Sequence, residues 1–66
     1  MNTFPDYLIV RYRRAWRELW KSEPPIIRKA GTACVVIVTD RGQSGYINQR
    51  NFAARINDMM TWSEEA

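Results

Sequence analysis

The chain has 66 residues, a formal net charge of +3 and a hydrophobic fraction of 45%. With no histidine and a single cysteine it lacks an internal disulfide, the usual general base and the usual metal ligands, so we expect no enzymatic activity, no metal and no cofactor. Because a chain this short buries only about 60% of the surface that its unfolded form exposes, we expect one small domain over residues 1–66.

The first segment has the pattern of an amphipathic helix. Thr3 is placed to cap its start, Pro5 suits the first turn, and Asp6 lies at the positive helix end. Pro24 and Pro25 end it, because proline donates no backbone hydrogen bond and restricts the residue before it. An apolar arc of about 140° is predicted to face the core, and it comprises Leu8, Ile9, Tyr12, Ala15, Trp16, Leu19 and, at its border, Trp20.

Positive charge is concentrated in this half of the chain. Residues 1–31 carry seven Lys or Arg against three Asp or Glu, whereas residues 32–66 carry three against four. The predicted nucleic-acid-binding residues form one exposed stripe that can neutralise several phosphates: Arg13, Arg14, Arg17 and Lys21. The alternative is an ordinary solvated helix surface in which Arg14 and Glu18 form an ion pair one turn apart.

The middle of the chain predicts antiparallel strands. Residues Thr32 to Thr39 are dense in β-branched side chains, Asp40 to Gly45 is a turn, and Tyr46-Ile47 is a short returning strand. Whether Ile26 to Lys29 adds a third strand is left open.

The strand over Thr32 to Thr39 has two apolar faces, one with Cys34, Val36 and Val38 and one with Ala33, Val35 and Ile37. We expect two short helices to cover the first face, with Cys34 pointing inward as a small hydrophobe, and to leave the second for another copy or a partner. The alternative is a curled sheet sandwiched between the helices. The predicted interface residues are Ala33, Val35, Ile37, Trp20 and Trp62.

A second helix is predicted from the N-cap Asn48 to about Trp62, with a core stripe of Phe52, Ile56, Met59 and Met60. The fold class is therefore α+β: a helix, an antiparallel β-hairpin or three-stranded meander, and a helix, in two layers. This order is similar to small phage head-completion proteins and, more loosely, to double-stranded-RNA-binding-like folds. Where RNA-binding members have a basic lysine motif, this chain has Asn48-Gln49-Arg50-Asn51.

These patterns favour a small basic, non-enzymatic accessory or regulatory protein that binds nucleic acid through its first helix, as a homodimer. The alternative is a protein-binding module, such as an inhibitor or assembly factor of phage or mobile-element type, acting through the apolar sheet face and the tryptophans. The lone cysteine and the short apolar runs favour the cytoplasm and no membrane span.

Overall fold

The computed structural model describes residues 3–65. Its elements are, in chain order, α1 (Asp6–Trp20), β1 (Ile26–Ala30), β2 (Cys34–Thr39), β3 (Gly42–Gln43), β4 (Ile47–Asn48) and α2 (Gln49–Glu65). The predicted α+β order of helix, antiparallel strands and helix is confirmed. The segment Ile26 to Lys29, for which the sequence did not decide between strand and loop, belongs to strand β1.

The start of α1 differs from the prediction. Its N-cap is Pro5, with no side-chain hydrogen bond to the first turn, so the prediction that Thr3 caps the helix is wrong. The preceding chain is instead held by the rest of the molecule: the Phe4 amide donates to the Thr32 carbonyl at 2.7 Å, and Gln49 Nε2 donates to the Thr3 carbonyl at 3.4 Å. These bonds place the Phe4 ring where it can enter the core.

The sheet is centred on β2. On one side β1 runs antiparallel to it, with Ile27 opposite Ile37. On the other side β3 pairs with the end of β2 and β4 with its start. Between these two short pairings the Ser44 amide donates to the Ile37 carbonyl and the Ile37 amide donates to Ser44 Oγ, both at 2.9 Å. The predicted returning strand is therefore split into β3 and β4 by Ser44, which bonds to β2 through its side chain as well as its backbone. Tyr46, predicted in that strand, lies outside both.

The second helix begins as predicted and ends later. Asn48 Oδ1 accepts a hydrogen bond from the Asn51 amide at 2.8 Å, which confirms Asn48 as the cap. The helix continues to Glu65, three residues beyond the predicted end at Trp62.

Both helices pack on the same face of the sheet. One cluster of buried side chains joins α1, α2 and three strands: Phe4, Leu8, Tyr12, Ala15, Ile27, Val35, Ile37, Ile47, Phe52, Ile56 and Met59. Phe4 at the start of α1 packs edge-on against Phe52 at the start of α2, while Trp20 and Trp62 at the two C-terminal ends line one groove. The helices therefore run side by side in the same direction.

The predicted orientation of β2 is wrong. Val35 is 0% and Ile37 is 8% exposed, and both lie in the core beneath the helices, while Ala33 is exposed in the turn before the strand. Because both faces of β2 are apolar, the strand itself does not specify which face turns inward. The strand β1 does not decide it either, because each of its faces carries one isoleucine and one charged residue. The strand β4 does distinguish the faces, since the buried Ile47 lies opposite Val35 and the exposed Asn48 lies opposite Cys34.

The face turned away from the helices is named the open face here. Cross-strand partners share a face, and the register assigns to it Ile26, Arg28, Ala30, Cys34, Val36 and Val38. Ile26 is 58% exposed, and Cys34 and Val38 are half-buried rather than inward, but Val36 on the same face is only 6% exposed. Both helices pack on the other face, as the two-layer prediction requires, so the sheet is not sandwiched between them.

Candidate nucleic-acid interface

The basic stripe lies on the outer side of α1 and consists of Arg13, Arg14, Arg17 and Lys21. All four side chains are exposed, and they lie on the side of the helix opposite the buried Leu8, Tyr12 and Ala15. Lys21 is the C-cap, held in a left-handed conformation (φ 55°) with its amide donating to the Arg17 carbonyl at 3.0 Å. A helix fixed to the core by one face therefore presents four cations on the other.

Few of these cations have a partner among the described residues. Within residues 3–65 the stripe makes one ion pair, between Arg17 and Glu23 at 3.8 Å; these side chains are 56% and 90% exposed, so the pair contributes little. For Arg13, Arg14 and Lys21, no carboxylate of residues 3–65 lies within 4.0 Å. The Arg14–Glu18 pair of the alternative interpretation is thus not formed.

A groove between the C-terminal halves of α1 and α2 adjoins the stripe. We call it the tryptophan groove; it measures about 450 Å³ and is lined by Tyr12, Trp16, Trp20, Arg55, Asp58, Met59 and Trp62. Trp20 is 53% and Trp62 is 50% exposed. The structure therefore brings together the two tryptophans predicted to be interface anchors, one from each helix.

A chain of aromatic contacts connects this groove to the core. Starting from Phe52, ring centroids lie 4.8 Å apart to Tyr12, then 6.2 Å to Trp16, then 5.9 Å to Trp20. Such offset and tilted arrangements are the favourable ones for aromatic pairs. Trp20 therefore packs against Trp16, which in turn packs against Tyr12 of the core. This contact limits the positions that the exposed Trp20 ring can take.

Two polar features of the groove were not predicted from the sequence. Burial raises the pKa of the Tyr12 phenol above its ordinary value of 10.0, and the nearby charge of Arg55 opposes that shift. Arg55 is exposed and lines the same groove as Tyr12. Trp16 Nε1 is buried and has no hydrogen-bond acceptor among residues 3–65.

The other predicted interface residues do not join this site. Val35 and Ile37 are closed off by the helices, and Ala33 lies in the turn before β2. Their place as the more exposed apolar surface is taken by the open face. Its residues Ile26 and Val38 also line a groove of about 490 Å³ with Pro24, Pro25 and Trp16 of α1, so this groove shares Trp16 with the tryptophan groove.

Comparisons of the chain with protein-family models, curated protein sequences and solved structures gave no match. In the part of the chain that the structure describes, neither helix is long and apolar enough to cross a membrane. Function is therefore inferred from the surfaces alone.

Proposed function

We propose that this is a small basic, non-enzymatic accessory protein that binds nucleic acid through the basic stripe of α1. The observation that carries the proposal is the state of the stripe: four exposed cations on one helix face, three of them with no carboxylate of residues 3–65 in reach. Three of the four are arginines, whose planar guanidinium can grip a phosphate with two hydrogen bonds.

The number of cations in the stripe determines how steeply the binding affinity should fall with salt. Four phosphate contacts give a slope of log K against log salt of about −3.6 on duplex DNA and about −2.8 on a single strand. Between about 50 and 200 mM salt, the affinity should then fall roughly 50- to 150-fold. A shallower slope would mean that fewer cations reach phosphates.

The experiment compares two triple variants in a fluorescence-anisotropy titration with labelled single-stranded and duplex oligonucleotides. One variant removes three stripe charges, and the control removes the same charge from exposed arginines elsewhere. They are Arg13→Gln with Arg14→Gln and Lys21→Gln, and Arg28→Gln with Arg41→Gln and Arg50→Gln. The stripe variant should lower the salt slope by about two to three units, and the control should change it by less than one. No binding at low salt, or equal losses in both variants, would refute the proposal.

A second candidate function is that of a protein-binding module, and the open face favours it. Ile26 is 58% exposed on an edge strand beside the half-buried Val38, and Arg28 lies between apolar neighbours on the same face. A partner with an apolar surface and a carboxylate for Arg28 would match it. A homodimer, which the sequence suggested through Val35 and Ile37, would now have to form through this face.

Mass measurement in solution over a range of concentrations tests the homodimer. Ile26→Asp places a charge on the open face, and Val10→Asp places one on α1. The two residues are equally exposed, at 58% each. A dimer through the open face is lost in the first variant and kept in the second. A monomer at every concentration refutes self-association, and the protein-binding candidate then requires a different partner.

A further inference from the structure

We propose that the tryptophan groove takes an unpaired nucleobase, so that the protein prefers single-stranded nucleic acid to duplex. This inference rests on the proposed function, since the stripe supplies the phosphate contacts. It is suggested by the position of Trp20, which lies three residues after Arg17 and next to Lys21 on the last turn of α1. Residues three apart on a helix are neighbours, so the groove and the stripe share an edge.

The groove has the chemistry of a base-stacking site. Two half-exposed indoles line it from different helices, Trp20 and Trp62, and the buried core residue Met59 also contributes to the lining. Every base has a π-face that can stack on such rings, which makes this kind of contact tolerant of sequence. A volume of about 450 Å³ is also large enough for a small-molecule ligand such as a nucleoside.

Charge argues for a nucleotide over a purely apolar occupant. Arg55 and Asp58 both line the groove, so a cationic donor and a carboxylate acceptor are available to the polar edge of a base. The adjoining stripe is positive, and a strand with its base in the groove would carry its phosphates towards it. A purely apolar occupant would make no hydrogen bond with either of these exposed side chains.

The geometry also explains why a duplex would not place a base in the groove. In a duplex each base is already paired and stacked between its neighbours, and it must be unpaired before it can enter a groove between two helices. Duplex could still bind to the stripe through its phosphates, but it would gain nothing from Trp20 and Trp62. The preference for single strands is therefore a property of the groove alone.

The test uses unlabelled single-stranded oligonucleotides and a blunt-ended duplex of two complementary strands, with intrinsic tryptophan fluorescence and competition anisotropy as readouts. Trp62→Leu keeps an apolar side chain and removes the π-face, Trp62→Phe restores a smaller one, and Tyr46→Leu changes an aromatic residue that is 81% exposed outside the groove. Circular dichroism verifies that each variant is folded.

For the wild type, single strands should quench the fluorescence and the duplex should not. Trp62→Leu should weaken single-strand binding about 5- to 150-fold, the range for loss of one stacked base. Its duplex affinity and its salt slope should be unchanged, because the phosphate contacts remain. Trp62→Phe should recover part of the loss, and Tyr46→Leu should have no effect.

The two proposals fail in different ways. If neither oligonucleotide binds at low salt, the proposed function is wrong and the inference falls with it. If the wild type binds both forms and Trp62→Leu changes neither affinity, or lowers both equally, the stripe proposal survives and the base-stacking site is refuted.

Discussion

The orientation of β2 can be tested with two identical substitutions on the same strand. Val35→Thr and Val38→Thr each replace a methyl by a hydroxyl in a side chain of nearly equal shape, and they differ in which face receives the hydroxyl. Val35 is 0% exposed within the core cluster, whereas Val38 is half-buried on the open face. The comparison therefore isolates burial from β-propensity, which threonine and valine share.

The expected difference follows from that burial. A hydroxyl without a partner in the apolar core costs about 1–3 kcal/mol, against a total stability of roughly 3–10 kcal/mol for a domain of this length. Each kcal/mol lowers the melting temperature of a small domain by about 4–8 °C, so Val35→Thr should lower it by about 5–20 °C. Val38→Thr should stay within about 0.5 kcal/mol of wild type.

Urea unfolding followed by tryptophan fluorescence measures both variants. Equal losses, or a larger loss at Val38, would contradict the structure's choice of inward face. A loss at Val38 that is present in concentrated solution and disappears on dilution would instead mean that another copy covers the open face, because only the dimer would be affected by the substitution.

Three further variants test local features. Gly42 has φ 117°, which side-chain-bearing residues rarely adopt, so Gly42→Ala should destabilise by about 1 kcal/mol or more; Gly45→Ala, where an added Cβ meets nothing within 4 Å, should cost less in the same urea assay. The raised pKa of Tyr12 means that the folded state holds this proton more tightly than the unfolded state, so the stabilisation is complete below pH 10.0 and is lost as pH rises through the folded pKa. Tyr12→Phe should remove that alkaline loss, and an unchanged pH dependence of unfolding would contradict it.

The helices were predictable because their patterns are one-sided. On α1 the apolar arc contains the residues that the structure buries, Leu8, Tyr12 and Ala15, and the charged residues lie outside it. On α2 the same holds for Phe52, Ile56 and Met59, whereas Met60, also predicted in the core stripe, is 43% exposed. Asn48 provides a local cap. Helical periodicity and cap chemistry depend on residues close in sequence, so both could be read without tertiary information.

The sheet was only partly predictable, since its details depend on pairing. The inward face of β2 is not specified by β2 itself, and it is the pairing of Val35 with the buried Ile47 of β4 that distinguishes the two faces. The interruption between β3 and β4 depends on Ser44 bonding across to Ile37, a contact with no signature in the sequence. The capping role assigned to Thr3 failed for a similar reason, because Phe4 is held by the distant Thr32.

The site combines both kinds of information. The stripe needs only the helical spacing of Arg13, Arg17 and Lys21, and the structure leaves it exposed as expected. The groove requires the two helices to run in the same direction, which brings together Trp20 of α1 and Trp62 of α2, 42 positions apart in the sequence. The position of Arg55 beside Tyr12 likewise follows from helix packing and could not be inferred from α2 alone.

The stripe has a structural explanation that must be weighed against the functional one. Cations near a helix C-terminus are stabilised by the helix dipole, and this accounts for Arg17 and Lys21 in the last turn and C-cap of α1. It does not account for Arg13, in the middle of the helix, which is four residues from Arg17 and therefore repels it.

If the stripe serves binding at some cost to folding, the two properties should separate at Arg13. Arg13→Glu replaces that repulsion with a favourable acid-before-base pair and should stabilise the protein by about 0.5 kcal/mol, with Arg13→Gln giving roughly half the gain. The same substitution should weaken nucleic-acid binding, because it removes one phosphate contact and adds a negative charge to the surface. Urea unfolding and anisotropy titration of the same samples measure the two effects. A variant that is both more stable and equally able to bind would show that Arg13 has no part in the interface, and the contact would then have to be sought at Arg14, Arg17 and Lys21 alone.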